Sequence, residues 1–165
     1  MNFLAPICEI FTNKYFRNAS YGGRTKAKKT YCRVKQGDEI RYEDVITLYP
    51  YICKYGKFHV DQKKVYVGAD CPPYVFDKEG IMKCKVLPPR KLYHLMLPYM
   101  SNYKPMFTLC YACADTKKQG KCTHTDGERC IVGTWAVDEV RKAIGMGYIL
   151  VNVYEFWEYE ITCFY

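Results

Sequence analysis

The stretch LCYACADTKKQGKCTHTDGERC, residues 109–130, contains four cysteines and one histidine but few large apolar residues. A segment this polar buries too little apolar surface to fold by itself. Cys110 and Cys113 form a C-x2-C pair, and Cys122 and His124 follow as C-x-H after the spacer 114–121. Thiolate sulfur and imidazole nitrogen in a set of four are the usual ligands of tetrahedral structural zinc. The stretch therefore predicts a zinc knuckle, a loop ordered by a metal ion.

The sequence alone does not decide the fourth metal ligand. Cys130 is an alternative to His124, and Cys71 and Cys84 are more distant sulfur donors. The other interpretation is a set of unligated thiols, because cysteines in a reducing compartment often stay free. We favour metal binding because it supplies the folding free energy that the polar loop lacks.

Length and composition indicate one folded domain. The chain has 165 residues, of which 49% are hydrophobic and 25% charged, and its formal net charge is +8. A positive surface favours phosphate-bearing partners. The 17 tyrosines supply rings that can stack on bases, although most aromatic side chains in any protein belong to the core or a half-buried surface.

The cellular location is predicted from the cysteines and the first residues. The segment MNFLAPICEIFTNK, residues 1–14, has no basic leader, and Glu9 interrupts its apolar run. No stretch of the sequence approaches the length of a membrane span. Ten cysteines without a secretory signal favour a reducing compartment. We expect an intracellular protein of the nucleus or cytoplasm, not secreted and without a membrane partner.

Apolar alternation predicts several strands. In EIRYEDVI, residues 39–46, Ile40, Tyr42 and Asp44 share one face, which is typical of a strand. Short strands are expected around 65–67 and 81–86, ended by the proline pairs at 72–73 and 88–89. The segment 148–165 is rich in β-branched and aromatic residues and predicts one or two further strands.

One amphipathic helix is expected near the end of the chain. Its apolar positions recur at helical spacing and are Trp135, Val137, Val140 and Ile144. Thr134 can cap its start, and Gly145 or Gly147 can end it. The expected fold class is α/β, with a mixed or antiparallel sheet, one covering helix and a loop-rich zinc-knuckle segment.

The predicted strand at 39–46 runs into the string DVITLYP, residues 44–50. A strand-end carboxylate can hold Mg²⁺ together with a neighbouring backbone carbonyl, although such an aspartate is more commonly a turn or cap residue. The string resembles motif A of family B DNA polymerases, D-x-x-S-L-Y-P, with Thr47 in place of the serine. The resemblance implies that Asp44 is one of two catalytic, Mg²⁺-binding aspartates, assisted by the Val45 carbonyl. It also implies a nucleotide site formed with Thr47, Leu48 and Tyr49, in which Tyr49 excludes ribonucleotides.

A second similarity precedes this motif. SYGGRTKAKKTY, residues 20–31, resembles the Y-x-G-G linker of the protein-primed branch of these polymerases, which touches template DNA. Both glycines match, but Ser20 takes the place of the tyrosine. The basic side chains that follow are expected to contact phosphates, and a merely solvated charged face is the alternative. The predicted DNA contacts are Tyr21, Gly22, Gly23, Arg24, Lys26, Lys28 and Lys29.

Most of the chain is similar to polymerases of Polinton or Maverick transposons. The similar segments include GIMKCKVLPPR (80–90), LYHLMLPY (92–99) and GTWAVDEVRKAIGMGY (133–148). The resemblance implies one fragment of a polymerase palm over 1–165. Its parts are a linker at 1–37, the motif A strand and turn at 38–55, a loop-rich insertion with the Cys/His cluster at 56–133, and a helix with terminal strands at 134–165.

Two motifs that polymerisation requires are absent from the sequence. One is D-T-D, which carries the second aspartate of the two-metal site, and the other is the fingers motif K-x3-N-S-x-Y-G. HTDG, residues 124–127, lacks the flanking apolar strands of D-T-D. We therefore expect a palm-region fragment that is inactive alone and serves template-directed DNA synthesis only within a complete polymerase. Its expected partners there are primer-template DNA, deoxynucleotides and a terminal priming protein, and its metals are Mg²⁺ and structural Zn²⁺.

Two other functions stay open. One is a non-catalytic, zinc-stabilised module that derives from a transposon polymerase and binds DNA or a protein. The other is a structural zinc protein unrelated to replication.

Overall fold

The structure is a computed structural model, and it describes residues 18–21, 27, 29–60, 62–72, 77–101, 104–118, 120–160 and 162–164. Within those residues, no helix is both long enough and apolar enough to cross a membrane. The chain divides into two compact units. The larger unit is Met1–Tyr21 with Asp61–Glu160, and the smaller is Gly22–Val60 with Ile161–Tyr165.

The fold is mixed α/β with antiparallel sheets. In chain order its elements are α1 (Leu48–Tyr55), β1 (Lys57–His59), β2 (Lys64–Val67), a 3-10 turn (Gly68–Asp70), β3 (Gly80–Leu87), β4 (Pro98–Ser101), β5 (Lys104–Phe107), α2 (Tyr111–Asp115), α3 (Asp126–Arg129), β6 (Ile131–Ala136), α4 (Val137–Gly145), β7 (Ile149–Glu158) and β8 (Thr162–Phe164). The strands predicted around 65–67 and 81–86 and in the terminal segment are confirmed.

A four-stranded sheet forms the larger unit, with the spatial order β2-β7-β3-β6 and antiparallel pairing throughout. Alternation along β3 buries Met82, Cys84 and Val86 on one face. Helix α4 covers the same core with Val137 and Val140. Each fully buried side chain of this size contributes about 1.5–3 kcal/mol by leaving water, so the predicted covering helix is a main source of stability.

The covering helix begins later than predicted. Thr134 and Trp135 lie in β6, where Thr134 is opposite Lys83 of β3, and α4 starts at Val137 after Ala136. Strand pairing outweighs the helical spacing because β6 supplies hydrogen-bond partners to the β3 backbone, which would otherwise lack them on that side. The predicted end at Gly145 is confirmed.

The segment 56–133 contributes strands to the sheet as well as the Cys/His cluster. It supplies β3, which lies between β7 and β6 in the sheet, and the boundary drawn between residues 133 and 134 falls inside β6. The alternation of apolar residues on β3 buries one face of this strand and so suits it to an interior position.

A two-stranded hairpin, β4 with β5, leads from the sheet toward the Cys/His stretch. The Trp135 indole nitrogen Nε1 donates a buried hydrogen bond of 2.9 Å to the Pro98 carbonyl at the start of β4. Leu97, the preceding residue, is fully buried. The hairpin is thereby fixed to the core, and so is the start of the polar segment that follows it.

In the smaller unit, β1 pairs with β8, and the strand predicted at 39–46 does not form. Ile40 and Tyr42 are 66% and 93% exposed, because residues 39–46 pair with no strand among the described residues. The turn predicted after Asp44 falls at Ile46 and Thr47 and leads into helix α1. Pro50 lies in its first turn, where the missing N–H is not needed.

Candidate metal centre

Cys110 and Cys113 are positioned by the start of helix α2. Cys110 is the N-cap residue, and its sulfur accepts a hydrogen bond from the Cys113 N–H at 3.4 Å. The Thr108 hydroxyl accepts from the Cys110 N–H at 3.1 Å and donates to the Cys110 carbonyl at 2.8 Å. The C-x2-C spacing therefore puts both sulfurs on one side of a single helical turn.

The chain reverses after α2 through a Schellman motif. The Lys117 N–H donates to the Ala114 carbonyl at 3.3 Å, and the Lys118 N–H donates to the Cys113 carbonyl at 3.0 Å. Lys117 takes the left-handed conformation, with φ 52°, at the position where glycine is usual. This reversal directs the spacer back toward Cys122.

His124 is positioned by the start of helix α3, which follows it directly. The Glu128 carboxylate accepts hydrogen bonds from the Thr125 N–H at 2.8 Å and from the Thr125 hydroxyl at 2.7 Å. These bonds from Thr125 lower the pKa of Glu128. The start of α3 thus fixes Thr125, the residue that follows His124.

The four predicted ligands converge. His124 Nδ1 lies 3.4 Å from Cys110 Sγ, 3.2 Å from Cys113 Sγ and 3.7 Å from Cys122 Sγ. All four ligand atoms lie within 4.8 Å of one another. Ideal tetrahedral zinc, with Zn–S of about 2.3 Å and Zn–N of about 2.0–2.1 Å, requires sulfur–nitrogen distances of about 3.5 Å. The cluster could therefore hold a metal ion such as zinc.

Cys130 is not a member of this cluster. Its thiol donates to the Asp126 carbonyl at 3.1 Å, and the converging group consists of three other cysteines and His124. Cys84 is fully buried in the core, where burial raises the pKa of its thiol to about 12. Cys71 is half-buried against the same core. His124 is thus the fourth member, and the distant sulfur donors are excluded.

The thiols of the centre differ in acidity. A hydrogen bond from the His124 backbone N–H is the main cause that lowers the pKa of Cys122 to about 6. Desolvation is the main cause that raises the pKa of Cys113 to about 11. When a metal ion binds to the three cysteines, any protons still on their thiols are released. Binding of a metal ion to this set should therefore weaken as pH falls.

Arg129 attaches the centre to the sheet, and we did not predict it from the sequence. Its side chain is buried and donates to the Pro88 carbonyl at 2.7 Å and to the Leu109 carbonyl at 3.4 Å. It also pairs with Asp126 at 2.9 Å. Leu109 precedes the first ligand and Arg129 follows the last one, so one guanidinium joins both ends of the metal-binding segment to the end of β3. Nothing in the sequence indicates that a single basic residue beside a cysteine cluster is buried.

The predicted Mg²⁺ site does not form a cluster. Asp44 is exposed in a stretch without regular structure and joins no group of three possible metal ligands among the described residues. Val45 is 65% exposed, Thr47 precedes α1 with φ 59°, and Leu48 and Tyr49 begin that helix. Tyr49 is 82% exposed, so the described residues of the smaller unit do not enclose its side chain.

The predicted DNA contacts lie mostly outside the described residues. This holds for Gly22, Gly23, Arg24, Lys26 and Lys28, whereas Lys29 is described and exposed. Tyr21 packs half-buried against the core of the larger unit, and burial raises the pKa of its phenol to about 12. Contact of these residues with DNA stays a prediction.

No family model, no curated protein and no solved structure matches the chain. The resemblance to family B polymerases therefore stays a prediction. The chemistry supported by the described residues is the capacity of a Cys3His cluster, fixed to an antiparallel sheet, to bind a metal ion.

Proposed function

We propose that this chain is a non-catalytic module that binds nucleic acid and is stabilised by zinc bound to Cys110, Cys113, Cys122 and His124. The observation that carries the proposal is the near-tetrahedral spacing of four soft or borderline ligand atoms. Three thiolates and an imidazole in this geometry favour Zn²⁺ over the hard cations Mg²⁺ and Ca²⁺, which take oxygen ligands.

Four protein ligands make a closed site. A catalytic zinc keeps one coordination position for water or substrate, whereas a structural zinc has all four positions filled by side chains. The cluster supplies four such groups, so the role proposed for the ion is to order the segment 108–130. Catalysis by this ion is not part of the proposal.

Positive charge supports a nucleic-acid partner. The formal net charge is +8, and the spacer between the ligand pairs contributes Lys117, Lys118 and Lys121, all exposed. Lysines that neutralise phosphates release condensed counterions, which drives binding at low salt. A metal-ordered loop can present these charges without the entropic cost of ordering a flexible segment at the moment of binding.

Metal content tests the first half of the proposal. We expect about one zinc ion per chain by elemental analysis, as in closed four-ligand sites, and a tetrahedral thiolate spectrum after cobalt substitution. Cys113→Ser and His124→Ala should lose the ion. Cys130→Ser is the matched control and should keep it, because the Cys130 thiol bonds to Asp126 instead. Metal-free wild type, or loss of the ion in Cys130→Ser, would contradict the assignment.

Oligonucleotide binding tests the second half. Fluorescence anisotropy with labelled single-stranded and duplex DNA and RNA should show affinity that falls as salt rises. A zinc-loaded protein without such binding at low salt would support the structural zinc protein instead.

A role within a family B DNA polymerase is a second candidate, supported by the string from Asp44 to Pro50. Primer extension with Mg²⁺ should give no synthesis by this chain alone, because the D-T-D and fingers motifs are absent from its sequence. Activity restored by the missing polymerase parts and abolished by Asp44→Asn would support the polymerase function over the binding module.

A further inference from the structure

An open groove lies beside the metal centre, between the β4–β5 hairpin and helix α2. Met106, Phe107 and Thr108 line it from the hairpin side, Ala114 from the helix, and Lys117 and Lys118 from the chain reversal that follows. Ser101 and the metal ligand Cys113 complete the described lining, and no acidic side chain is among them. The groove therefore combines a partly apolar wall with two cations.

Lys117 occupies a strained backbone position. Its φ of 52° is left-handed, a conformation in which a residue with a Cβ is less stable than glycine. Glycine is the common residue at this position of a Schellman motif. Strain that a sequence retains is a reason to look for a function of the side chain. The residue retained here is a lysine that belongs to the lining of the groove.

The reversal that carries these lysines is bonded directly to the metal-binding segment. The Lys118 N–H donates to the carbonyl of the ligand Cys113, and the Lys118 ammonium lies 3.4 Å from the hydroxyl of Thr123, which separates the ligands Cys122 and His124. An ion bound at the centre would thus fix the part of the chain from which both ammonium groups project. The groove depends on the same fold that the metal stabilises.

We propose that this groove binds single-stranded nucleic acid, with Lys117 and Lys118 on successive phosphates and Met106 and Phe107 against the sugar and base. The proposal rests on the proposed function and deepens it by naming the surface and the form of the ligand. Two cations without an opposing acid match a phosphodiester backbone. The apolar side chains favour a single strand, because only unpaired bases expose their faces for such contact.

The test exploits the left-handed position. Lys117→Gly and Lys117→Asn both remove the cation, and both residues tolerate a positive φ better than lysine does. We expect the thermal unfolding midpoint to stay level or to rise by up to about 3 °C. Affinity for labelled oligothymidylate and oligouridylate should nevertheless fall by about threefold or more at low salt, and the slope of log affinity against log salt should become shallower by about 0.7.

A charge-matched control separates local from general electrostatics. Lys142→Gln, on α4 and outside the groove lining, removes the same charge and should leave affinity within about twofold of wild type. Lys118→Gln should weaken binding as the Lys117 variants do, and Phe107→Ala should weaken binding to single strands more than to duplex.

The outcomes distinguish this groove from the broader proposal. If wild type binds oligonucleotides but the Lys117 and Lys118 variants bind equally well, or if Lys142→Gln weakens binding as much as they do, the groove is not the site and the proposed function stands. If zinc-loaded wild type binds no oligonucleotide at low salt, the proposed function itself is wrong. Equal preference for single strands and duplex would overturn the single-strand assignment.

Discussion

The Arg129 guanidinium donates a hydrogen bond of 2.7 Å to the Pro88 carbonyl in a buried environment. This bond links the helix that follows the last metal ligand to the residue that follows strand β3. The arginine is 3% exposed, whereas Asp126, its carboxylate partner, is exposed. Arg129 thereby anchors the segment 108–130 to the sheet. Its removal would leave the carbonyl acceptors without a donor.

Arg129→Met should therefore lower the free energy of unfolding by about 2–4 kcal/mol, since the buried acceptors lose their donor. Arg90→Met is a close control, because Arg90 pairs with the same Asp126 oxygen at 2.8 Å but is exposed, and its loss should cost less than about 1 kcal/mol. Denaturant unfolding of the zinc-loaded proteins measures both. Similar costs for the two variants would mean that burial of Arg129 has no energetic consequence.

Removal of the metal should unfold the knuckle before the sheet. A structural zinc contributes folding free energy to the segment that binds it, and regions of a protein open independently when their local stability is low. With a strong chelator, amide exchange should accelerate across residues 108–130, while Cys84 and Phe156 in the sheet stay protected. Hydrogen-exchange mass spectrometry resolves the two regions. Uniform acceleration would indicate that the sheet also depends on the ion.

Glu158 should make stability depend on acid pH. Burial opposes its ionisation, but hydrogen bonds from Lys78 at 2.5 Å and Tyr66 at 2.9 Å outweigh this and place its pKa below the ordinary 4.5. A lowered carboxylate pKa adds stability that is fully present well above 4.5 and is lost as pH falls through the lower folded value.

The comparison of wild type with Glu158→Gln isolates this effect, because both proteins have the same Cys/His cluster. We expect wild type to be more stable by about 1–2 kcal/mol at neutral pH. The difference should shrink as pH falls below 4.5. A difference that stays constant over this range would show that ionisation of Glu158 contributes nothing.

Gly133→Ala should destabilise the larger unit by about 1–3 kcal/mol, because overpacking forces buried groups to move. A Cβ at Gly133 would collide with the ring of Trp135, which is fully buried and cannot withdraw. Gly145→Ala is the control, since a Cβ there meets nothing within 4 Å. That change should be neutral or stabilising by up to about 1 kcal/mol in the helix, and thermal unfolding would compare the two.

Local spacing in the sequence was sufficient to predict three of the four candidate ligands. Cys110 and Cys113 lie one helical turn apart, and Cys122 and His124 are separated by a single residue, so each pair is brought together by a few backbone angles. The same holds for β2, β3 and β7, whose apolar and β-branched residues favour strands. His124 rather than Cys130 as the fourth member required the structure, because the two lie at opposite ends of the short helix α3.

The segments 39–46 and 131–136 show where local pattern fails. The first alternates like a strand but has no partner strand, so its apolar residues stay exposed. The second contains part of a helical apolar repeat but pairs with β3, and Trp135 is buried from that strand. A large apolar residue fits the periodicity of either a helix or a strand. Which of the two forms depends on which neighbouring backbone supplies hydrogen bonds.

The sequence by itself therefore determined the candidate metal ligands, with the fourth open between His124 and Cys130, the positive charge and the strands β2, β3 and β7. These features depend on composition and on contacts close along the chain. Only the tertiary structure decided that β3 is an interior strand of the sheet, that Arg129 is buried against Pro88, and that Lys117 and Lys118 line a groove with Met106 and Phe107. Those relationships join residues far apart in the chain, and strand pairing and burial rather than local preference fix them.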